Sequence, residues 1–249
     1  MATIRCFDLT KRFDGVSALE GVSVELLPSC ITAIIGPNGA GKTTLVNILT
    51  GFARPDEGHC FLGDCEITHL SPHRIAQLGL ARTFQNLRLI QQVSAIDNVR
   101  LARPQQRGER LSSALLRFGL AKEELRNTEE AMRQLKFVGL AEKARELAGE
   151  LSYGEQKLLT LACCLATEAG VIVLDEPVAG VHPEMTLHIL SLLSRLRQEG
   201  KTVAFIEHDV AAVRRISDLV IVMDHGKVIA LGTPQDVLER SDIMEAYLA

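Results

Sequence analysis

The chain has 249 residues, 47% of them hydrophobic and 23% charged, which is the balance of a globular protein with a substantial core. Its formal net charge of −4 argues against the basic face that general nucleic-acid binding needs, so no nucleic-acid partner is predicted. It has no apolar run of about 18 residues and no signal-peptide-like start, which argues against a membrane span and predicts a cytosolic protein.

Three strands and a helix are the first predicted elements. Strand-like segments occupy residues 4–9, 22–26 and 32–35, and a helix is predicted over residues 42–51, where a glycine ends it. Between the third strand and the helix, residues 36–44 read GPNGAGKTT and fit the pattern G-x-x-x-x-G-K-[ST]. We call this segment the phosphate loop.

The phosphate loop is predicted to bind the phosphates of a nucleotide. Its glycines let backbone N–H groups point inward, and the helix that follows adds its positive end to the same cavity. Lys42 is expected to pair with the β- and γ-phosphates, and the Thr43 hydroxyl with Mg²⁺. The predicted binding residues are Gly36, Pro37, Asn38, Gly39, Ala40, Gly41, Lys42, Thr43 and Thr44.

The six cysteines are too scattered for a secreted disulfide framework, and we predict that they are buried small hydrophobes. A cluster formed by His59, Cys60, Cys65 and His69 offers an alternative as a zinc site. It contains a single C-x₄-C pair within a predicted strand–turn–strand, which is a weak metal signal. Packing is therefore the favoured interpretation of this cluster.

Residues 87–169 are predicted to form a helical insert between two halves of one α/β sheet. Leu125, Thr128, Met132, Leu135 and Val138 recur at helical spacing and predict the buried face of one helix. A polar loop is predicted at residues 104–110. The predicted division is a core of residues 1–86 and 170–249 and a helical subdomain of residues 87–169.

The chain then alternates short β-branched runs with amphipathic segments, which predicts parallel strands joined by helices. The run 171–176 reads VIVLDE, as a buried strand whose carboxyl end meets a ligand crevice. Asp175 is expected to hold Mg²⁺, and Glu176 to accept a proton from the water that attacks the γ-phosphate. A helix is predicted over residues 183–198, and another at the tail, residues 236–248.

Residues 151–156 read LSYGEQ and open an apolar helical run; we call them the signature segment. Taken alone, the segment is equally an ordinary helix start capped by Ser152. Its place between the phosphate loop and the acidic strand resembles the signature of ATP-binding cassette (ABC) proteins, whose common form is LSGGQ. The resemblance implies that Ser152 and Gly154 contact ATP held by a second copy, in a head-to-tail dimer.

The same resemblance implies a fold and three further site residues. The fold is an α/β P-loop NTPase with a mixed central sheet, an N-terminal antiparallel β subdomain and the helical insert. Phe13 matches the aromatic residue that stacks on adenine, with plain packing as the alternative. Gln85 matches the glutamine that reaches Mg²⁺ and the attacking water, and His208 the histidine that binds the γ-phosphate and orients Glu176.

Besides Tyr153, which replaces the first of the paired glycines of the signature, three positions depart from the family pattern. His182 stands where an aspartate is common, Cys163 where an arginine is usual, and Glu155 replaces the signature glutamine. Because a carboxylate would repel phosphate, we expect Glu155 to face away, toward Lys157 or solvent. None of the three coincides with Lys42, Asp175, Glu176 or His208, so ATP hydrolysis is expected to survive.

Segments along the whole chain, including RTFQNLRL at residues 82–89 and EPVAGVHP at residues 176–183, are similar to ATPase subunits of bacterial importers for branched-chain amino acids. The resemblance implies the cofactors ATP and Mg²⁺, transmembrane permease subunits, a second ATPase subunit and, indirectly, a solute-binding protein. It places the chain peripherally on the cytoplasmic side of the bacterial inner membrane. The alternatives are transport of urea or other amides, a soluble non-transport ABC ATPase, and a regulator that holds ATP without hydrolysing it.

Overall fold

The computed structural model describes residues 3–85, 87–104, 120–240 and 243. The chain divides into two compact units, one formed by residues 1–85 and 170–249 and the other by residues 86–169. Residues 105–110 of the predicted polar loop, and most of the predicted tail helix beyond residue 240, lie outside the described residues.

An antiparallel sheet forms the N-terminal part of the first unit. Its strands are β1 (Ile4–Phe13), β2 (Val16–Leu26), β4 (Glu57–Leu62) and β5 (Cys65–Glu66), in the order β2-β1-β4-β5. The first two strands are longer than predicted, because their pairing continues from Leu9 to Val16 through residues that are mostly exposed. The apolar pattern therefore predicted only the more buried stretches of these two strands.

The second sheet is mixed and has six strands in the order β10-β9-β3-β8-β7-β6. Five of them are parallel, and only β10 runs antiparallel to its neighbour. The strands are β3 (Ile31–Ile35), β6 (Leu80–Arg82), β7 (Val171–Asp175), β8 (Thr202–Ile206), β9 (Leu219–Asp224) and β10 (Lys227–Gly232). A mixed central sheet with an antiparallel N-terminal sheet confirms the predicted fold class.

The described helices are α1 (Lys42–Leu49), α2 (Pro72–Gln77), α3 (Ala95–Leu101), α4 (Leu120–Val138), α5 (Tyr153–Ala166), α6 (Pro183–Gln198), α7 (Val210–Ile216) and α8 (Pro234–Leu238). Helix α1 ends two residues before the predicted glycine, because Thr50 leaves helical geometry and Gly51 has a φ of 75°. In the first unit one core joins both sheets to α1 through residues such as Leu26, Ile34, Leu45 and Val173. This core holds the phosphate loop between packed elements.

The second unit packs α3, α4 and α5 together, with two 3₁₀ turns at Ala141–Lys143 and Ala148–Glu150. The buried face of α4 differs in part from the prediction: Leu135 and Val138 are buried as predicted, but Leu125 is 60% exposed, and Asn127 and Ala131 are buried instead. Asn127 can be buried because its Oδ1 accepts a hydrogen bond from Arg103 Nε at 2.9 Å. The periodicity predicted the position of the helix, but the hydrogen bond between Arg103 and Asn127 brings a polar residue into its packed face.

The prediction that all cysteines are buried is wrong for Cys65, which is exposed, and for Cys30 and Cys163, which are partly exposed. Cys6 and Cys60 are a buried cross-strand pair with their Sγ atoms 2.8 Å apart. In the cluster considered as an alternative zinc site, His59 Nδ1 lies 2.8 Å from Glu66 Oε1. Across the described ranges, no helix is both long and apolar enough to cross a bilayer.

Candidate nucleotide-phosphate site

The phosphate loop joins the carboxyl end of the buried strand β3 to the start of α1. Two of its glycines have no room for a side chain. A Cβ on Gly36 would lie 2.0 Å from the Met223 carbonyl oxygen, and one on Gly41 would lie 2.4 Å from that of Ala18. Gly41 also has a φ of 98°, in the left-handed region that other residues rarely adopt. The loop therefore follows a path that requires glycine at both positions.

Helix α1 begins at this loop without a side-chain cap. Its first backbone N–H groups are therefore available to an anion, which the helix dipole also favours. Lys42 is 6% exposed, and its Nζ donates to the carbonyl oxygens of Gly36 at 2.7 Å and Pro37 at 2.8 Å. Burial lowers the pKa of Lys42, while the carboxylates of Glu176 and Asp175 oppose that shift.

Glu176 lies just beyond the end of β7 with a φ of 50°, which is rare for a residue with a side chain. Strained backbone of this kind is concentrated at functional sites. Gln85 Nε2 donates to Glu176 Oε2 at 3.2 Å, and His208 Nε2 lies 3.5 Å from Oε1. Two polar side chains from other segments therefore lie beside the two oxygens of this carboxylate, and Gln85 donates to one of them.

These groups line one cavity of about 280 Å³ in the first unit. It brings together seven residues of the phosphate loop with Gln85, Glu176 and His208, and its lining residues are Ala18, Asn38, Gly39, Ala40, Gly41, Lys42, Thr43, Thr44, Gln85, Glu176, Ile206 and His208. Four predicted site residues of this unit are outside that lining: Phe13, Gly36, Pro37 and Asp175. Phe13 is 49% exposed at the end of β1, with Lys11 Nζ 5.2 Å from its ring centroid.

Asp175 is 9% exposed and is held by a residue that sequence reasoning missed. Arg82 Nη2 donates to Asp175 Oδ2 at 3.0 Å. The backbone N–H of Asp175 also donates to Thr83 Oγ1 at 3.2 Å. The sequence signal for this contact was an arginine at the end of the otherwise apolar strand LAR, since a buried arginine needs an acidic partner.

Glu207 is a second missed residue, directly before His208. It is 2% exposed, and its two oxygens accept the backbone N–H groups of Val178 at 2.9 Å and His208 at 3.1 Å. The carboxylate thereby joins the loop after Glu176 to the loop that carries His208. A glutamate continuing the fully buried run TVAFI was the sequence signal for this role.

In the second unit, Ser152 caps α5, and Gly154 lies in the first turn of that helix. Ser152 Oγ donates to Glu155 Oε2 at 2.8 Å and accepts from the Glu155 N–H at 3.4 Å. The prediction that Glu155 faces Lys157 or solvent is wrong: Lys143 Nζ lies 2.8 Å from Glu155 Oε1. Lys157 instead lies over the Tyr153 ring, 5.5 Å from its centroid.

The hydrogen bond from Lys143 is the main cause that lowers the pKa of Glu155. At His182, where an aspartate is common in the family, the side chain caps α6: Nδ1 accepts the Glu184 N–H at 3.4 Å. Both unusual residues therefore have local structural partners at the start of a helix.

The geometry of the first unit can bind and polarise a phosphate chain. Backbone N–H groups, a buried ammonium and a hydroxyl converge on one cavity beside a carboxylate that can accept a proton. Such a site at the carboxyl edge of a mostly parallel sheet, with an antiparallel sheet beside it and a separate helical unit, defines the class of ATP-binding cassettes.

Comparison with known proteins gives the family. Residues 19–179 match the family described as ABC transporter, so the chain belongs to that family, as the signature segment predicted. It is 39% identical over 244 residues to the high-affinity branched-chain amino acid transport ATP-binding protein LivG of Escherichia coli, covering 96% of this chain and 95% of LivG. A probable LivG protein of Archaeoglobus fulgidus is 36% identical over 248 residues, covering 100% of this chain and 96% of that protein. The expected role as the ATP-binding component of an ABC transporter agrees with these relatives.

Solved structures give the same result. A nucleotide-free ATP-binding cassette of an ABC transporter matches with a TM-score of 0.87, 32% identity and 100% coverage of both chains. An ABC transporter cassette in its ADP conformation matches with a TM-score of 0.87 and 33% identity, covering 100% of this chain and 99% of that one. A dimeric cassette bound to ADP and phosphate shares the fold, at 24% identity and a TM-score of 0.78 over 93% of this chain and 98% of that one.

Proposed function

We propose that this chain hydrolyses ATP in the presence of Mg²⁺ and thereby powers an importer for branched-chain amino acids. The observation that carries the proposal is the convergence of Lys42, Gln85, Glu176 and His208 on one cavity. The transported solute is inferred from the names of relatives that match along nearly the whole chain. No residue of an ATPase subunit has to touch the solute, so the relatives, and not the site, indicate which solute is transported.

In the proposed reaction, Glu176 accepts a proton from the water that attacks the γ-phosphate. Gln85 donates to its carboxylate and His208 lies beside the other oxygen, and we propose that the two orient it toward that water. Lys42 and the N–H groups at the start of α1 bind the phosphate chain. We assign the adenine contact to Phe13, whose exposed ring is accessible to a base.

The donors of this site fit Mg²⁺. Thr43 offers a hydroxyl, Asp175 a carboxylate and Gln85 an amide oxygen, and hard oxygen ligands of this kind are the ones that Mg²⁺ prefers. The buried charge of Asp175 is balanced by Arg82 on one oxygen only. We propose that these three residues hold the ion, which would neutralise charge on the phosphates.

We propose that two ATPase subunits form each complete site, with Ser152 and Gly154 of one copy contacting the ATP bound to Lys42 of the other. Support comes from the dipole at the start of α5, which favours an anion; to contact the phosphate, the Ser152 hydroxyl turns from Glu155 Oε2, to which it donates at 2.8 Å. The second subunit is either an identical or a related chain. Permease subunits and, indirectly, a solute-binding protein complete the complex on the cytoplasmic side of the bacterial inner membrane.

Purification of the tagged chain from native membranes, followed by identification of the proteins that accompany it, tests this function. Permease subunits and a branched-chain amino acid binding protein are the expected partners. Recovery of a urea or amide transport system would change the solute, and recovery of the chain without membrane subunits would contradict the transport role. A Lys42→Ala variant that still joins the complex but abolishes solute uptake would link the cavity to import.

A further inference from the structure

Arg82, the last residue of β6, reaches the acidic end of the neighbouring strand β7. Its Nη2 donates to Asp175 Oδ2 at 3.0 Å, and the two side chains are only 5% and 8% exposed. The parallel pairing of the two strands sets Arg82 opposite Val173, two residues before Asp175. In this buried setting each charge needs the other, because an unpaired one would be strongly unfavourable.

The other terminal nitrogen of the guanidinium contacts the helix that follows the phosphate loop. Arg82 Nη1 donates to Asn47 Oδ1 at 2.6 Å and to Thr50 Oγ1 at 3.2 Å. Asn47 lies in α1 and Thr50 caps its end. The planar fork of an arginine thus joins α1 to Asp175, with two directions of donation that a single lysine ammonium cannot reproduce.

Two aromatic rings hold the guanidinium in this position. Its Cζ lies 4.9 Å from the Phe84 ring centroid and 5.9 Å from that of Phe52, and the two rings pack edge to face. Cation–π contact and burial together favour one orientation of the guanidinium. Arg82 is therefore fixed independently of its bond to Asp175.

The residues that follow Arg82 contact the same acidic pair. Thr83 Oγ1 accepts the backbone N–H of Asp175, and Gln85 Nε2 donates to Glu176. Residues 82–85 therefore connect the end of β7, its catalytic carboxylate and α1. Within the described ranges, Arg82 is the only one of them that contacts the Asp175 side chain, and it engages Oδ2 alone.

We infer that Arg82 is a positioning residue for Mg²⁺: it fixes the Asp175 carboxylate so that Oδ1 stays available to the ion. This inference rests on the proposed function, because it assumes that the site binds nucleotide with Mg²⁺. Loss of a residue that orients a metal ligand in this way typically lowers metal affinity by about 10- to 100-fold.

Arg82→Lys is the sharpest test, because it keeps the positive charge and removes the fork. Mn²⁺, as a paramagnetic substitute for Mg²⁺, is titrated into the full chain with AMP-PNP bound, and free Mn²⁺ is measured by electron paramagnetic resonance. We expect Arg82→Lys to weaken Mn²⁺ binding about 10-fold, while AMP-PNP binding in EDTA is unchanged. In an Asp175→Asn background the same substitution is expected to have no further effect.

Arg103→Lys is the matched control. Arg103 is also a buried arginine, 6% exposed, bonded to Asn127 and Glu168 in the other unit. Arg103→Lys should leave Mn²⁺ affinity unchanged.

Asn47→Ala is the second test variant, because it removes the 2.6 Å hydrogen bond to Arg82 Nη1 and leaves Arg82 itself in the chain. It should weaken Mn²⁺ binding in the same direction, and thermal unfolding of every variant is recorded alongside.

Wild-type Mn²⁺ affinity in folded Arg82→Lys overturns the inference, as does an equal loss in the Asp175→Asn background or an equal loss of AMP-PNP binding in EDTA. If Arg82→Lys does not fold, unchanged Mn²⁺ affinity in Asn47→Ala overturns it. Failure of the proposed function looks different: the wild-type chain itself then binds no Mn²⁺ with AMP-PNP, or binds both without joining membrane subunits.

Discussion

Glu176 combines a left-handed backbone conformation with two side-chain partners, Gln85 and His208. Replacement by glutamine keeps the shape of the side chain but removes its ability to accept a proton. Glu176→Gln should therefore lower ATP turnover by about 10²- to 10⁴-fold and leave nucleotide binding intact. Steady-state hydrolysis and equilibrium nucleotide binding measure the two effects. Exposed Glu199→Gln is the control, and normal turnover in Glu176→Gln would remove this residue from its proposed role.

We expect Glu207 to stabilise the fold through its two carboxylate oxygens, which accept backbone N–H groups, and not to act by contact with nucleotide. Both of its oxygens face backbone N–H groups, so Glu207→Gln would place an amide N–H₂ against one of these donors. We expect a loss of about 1–3 kcal/mol in the free energy of unfolding, which is the usual effect of an unsatisfied buried polar group. Urea denaturation measures it, and a variant as stable as the wild type would show that the loops hold without this carboxylate.

At the scale of elements, the start of α5 depends on an ion pair as well as on its cap. Bonding to Lys143 lowers the pKa of Glu155 below its usual value of about 4.3. A carboxyl group whose pKa is lower in the folded state stabilises the fold above its unfolded pKa. This stability is lost as the pH falls through the lower, folded pKa.

Lys143→Met should therefore reduce stability near neutral pH, where Glu155 is ionised and paired with Lys143. The difference from the wild type should shrink as the pH falls from about 4 through the lowered folded pKa of Glu155, because the carboxyl group then becomes protonated in both proteins. Chemical denaturation at several pH values measures this convergence. Lys136→Met, at an exposed position of α4, is the control, and a difference independent of pH would contradict the ion-pair explanation.

The local elements could be predicted because their signals lie in neighbouring residues. Helix α6 has the predicted bounds, and the strand that ends at Asp175 and the phosphate loop lie where their patterns indicated. Arg82 and Glu207 could not be assigned partners, because these depend on which strands and loops become neighbours. The same limit explains α4, where Arg103 and Asn127 decide which face is buried.

At the scale of the whole molecule, the proposed dimer makes each ATP site a product of two chains. A mixture of Lys42→Ala and Ser152→Ala chains should then hydrolyse ATP although each variant alone does not. Mixed dimers contain one intact composite site, so random pairing restores about one site in four. Activity of the mixture measures this complementation. A wild-type rate that stays linear in protein concentration at all dilutions, with the chain monomeric, would contradict the two-chain site.

The position of β3 has a consequence for synthesis. This apolar strand, which leads into the phosphate loop, pairs only with β8 and β9, so Ile31 has no partner in its sheet until Val203 has been synthesised. At ordinary translation speeds, synthesis of the chain between these two residues takes roughly 10–35 s. During that time a strand-forming segment with no partner is exposed to aggregation. The nucleotide site is thus among the first parts of the chain to be made and among the last to be completed.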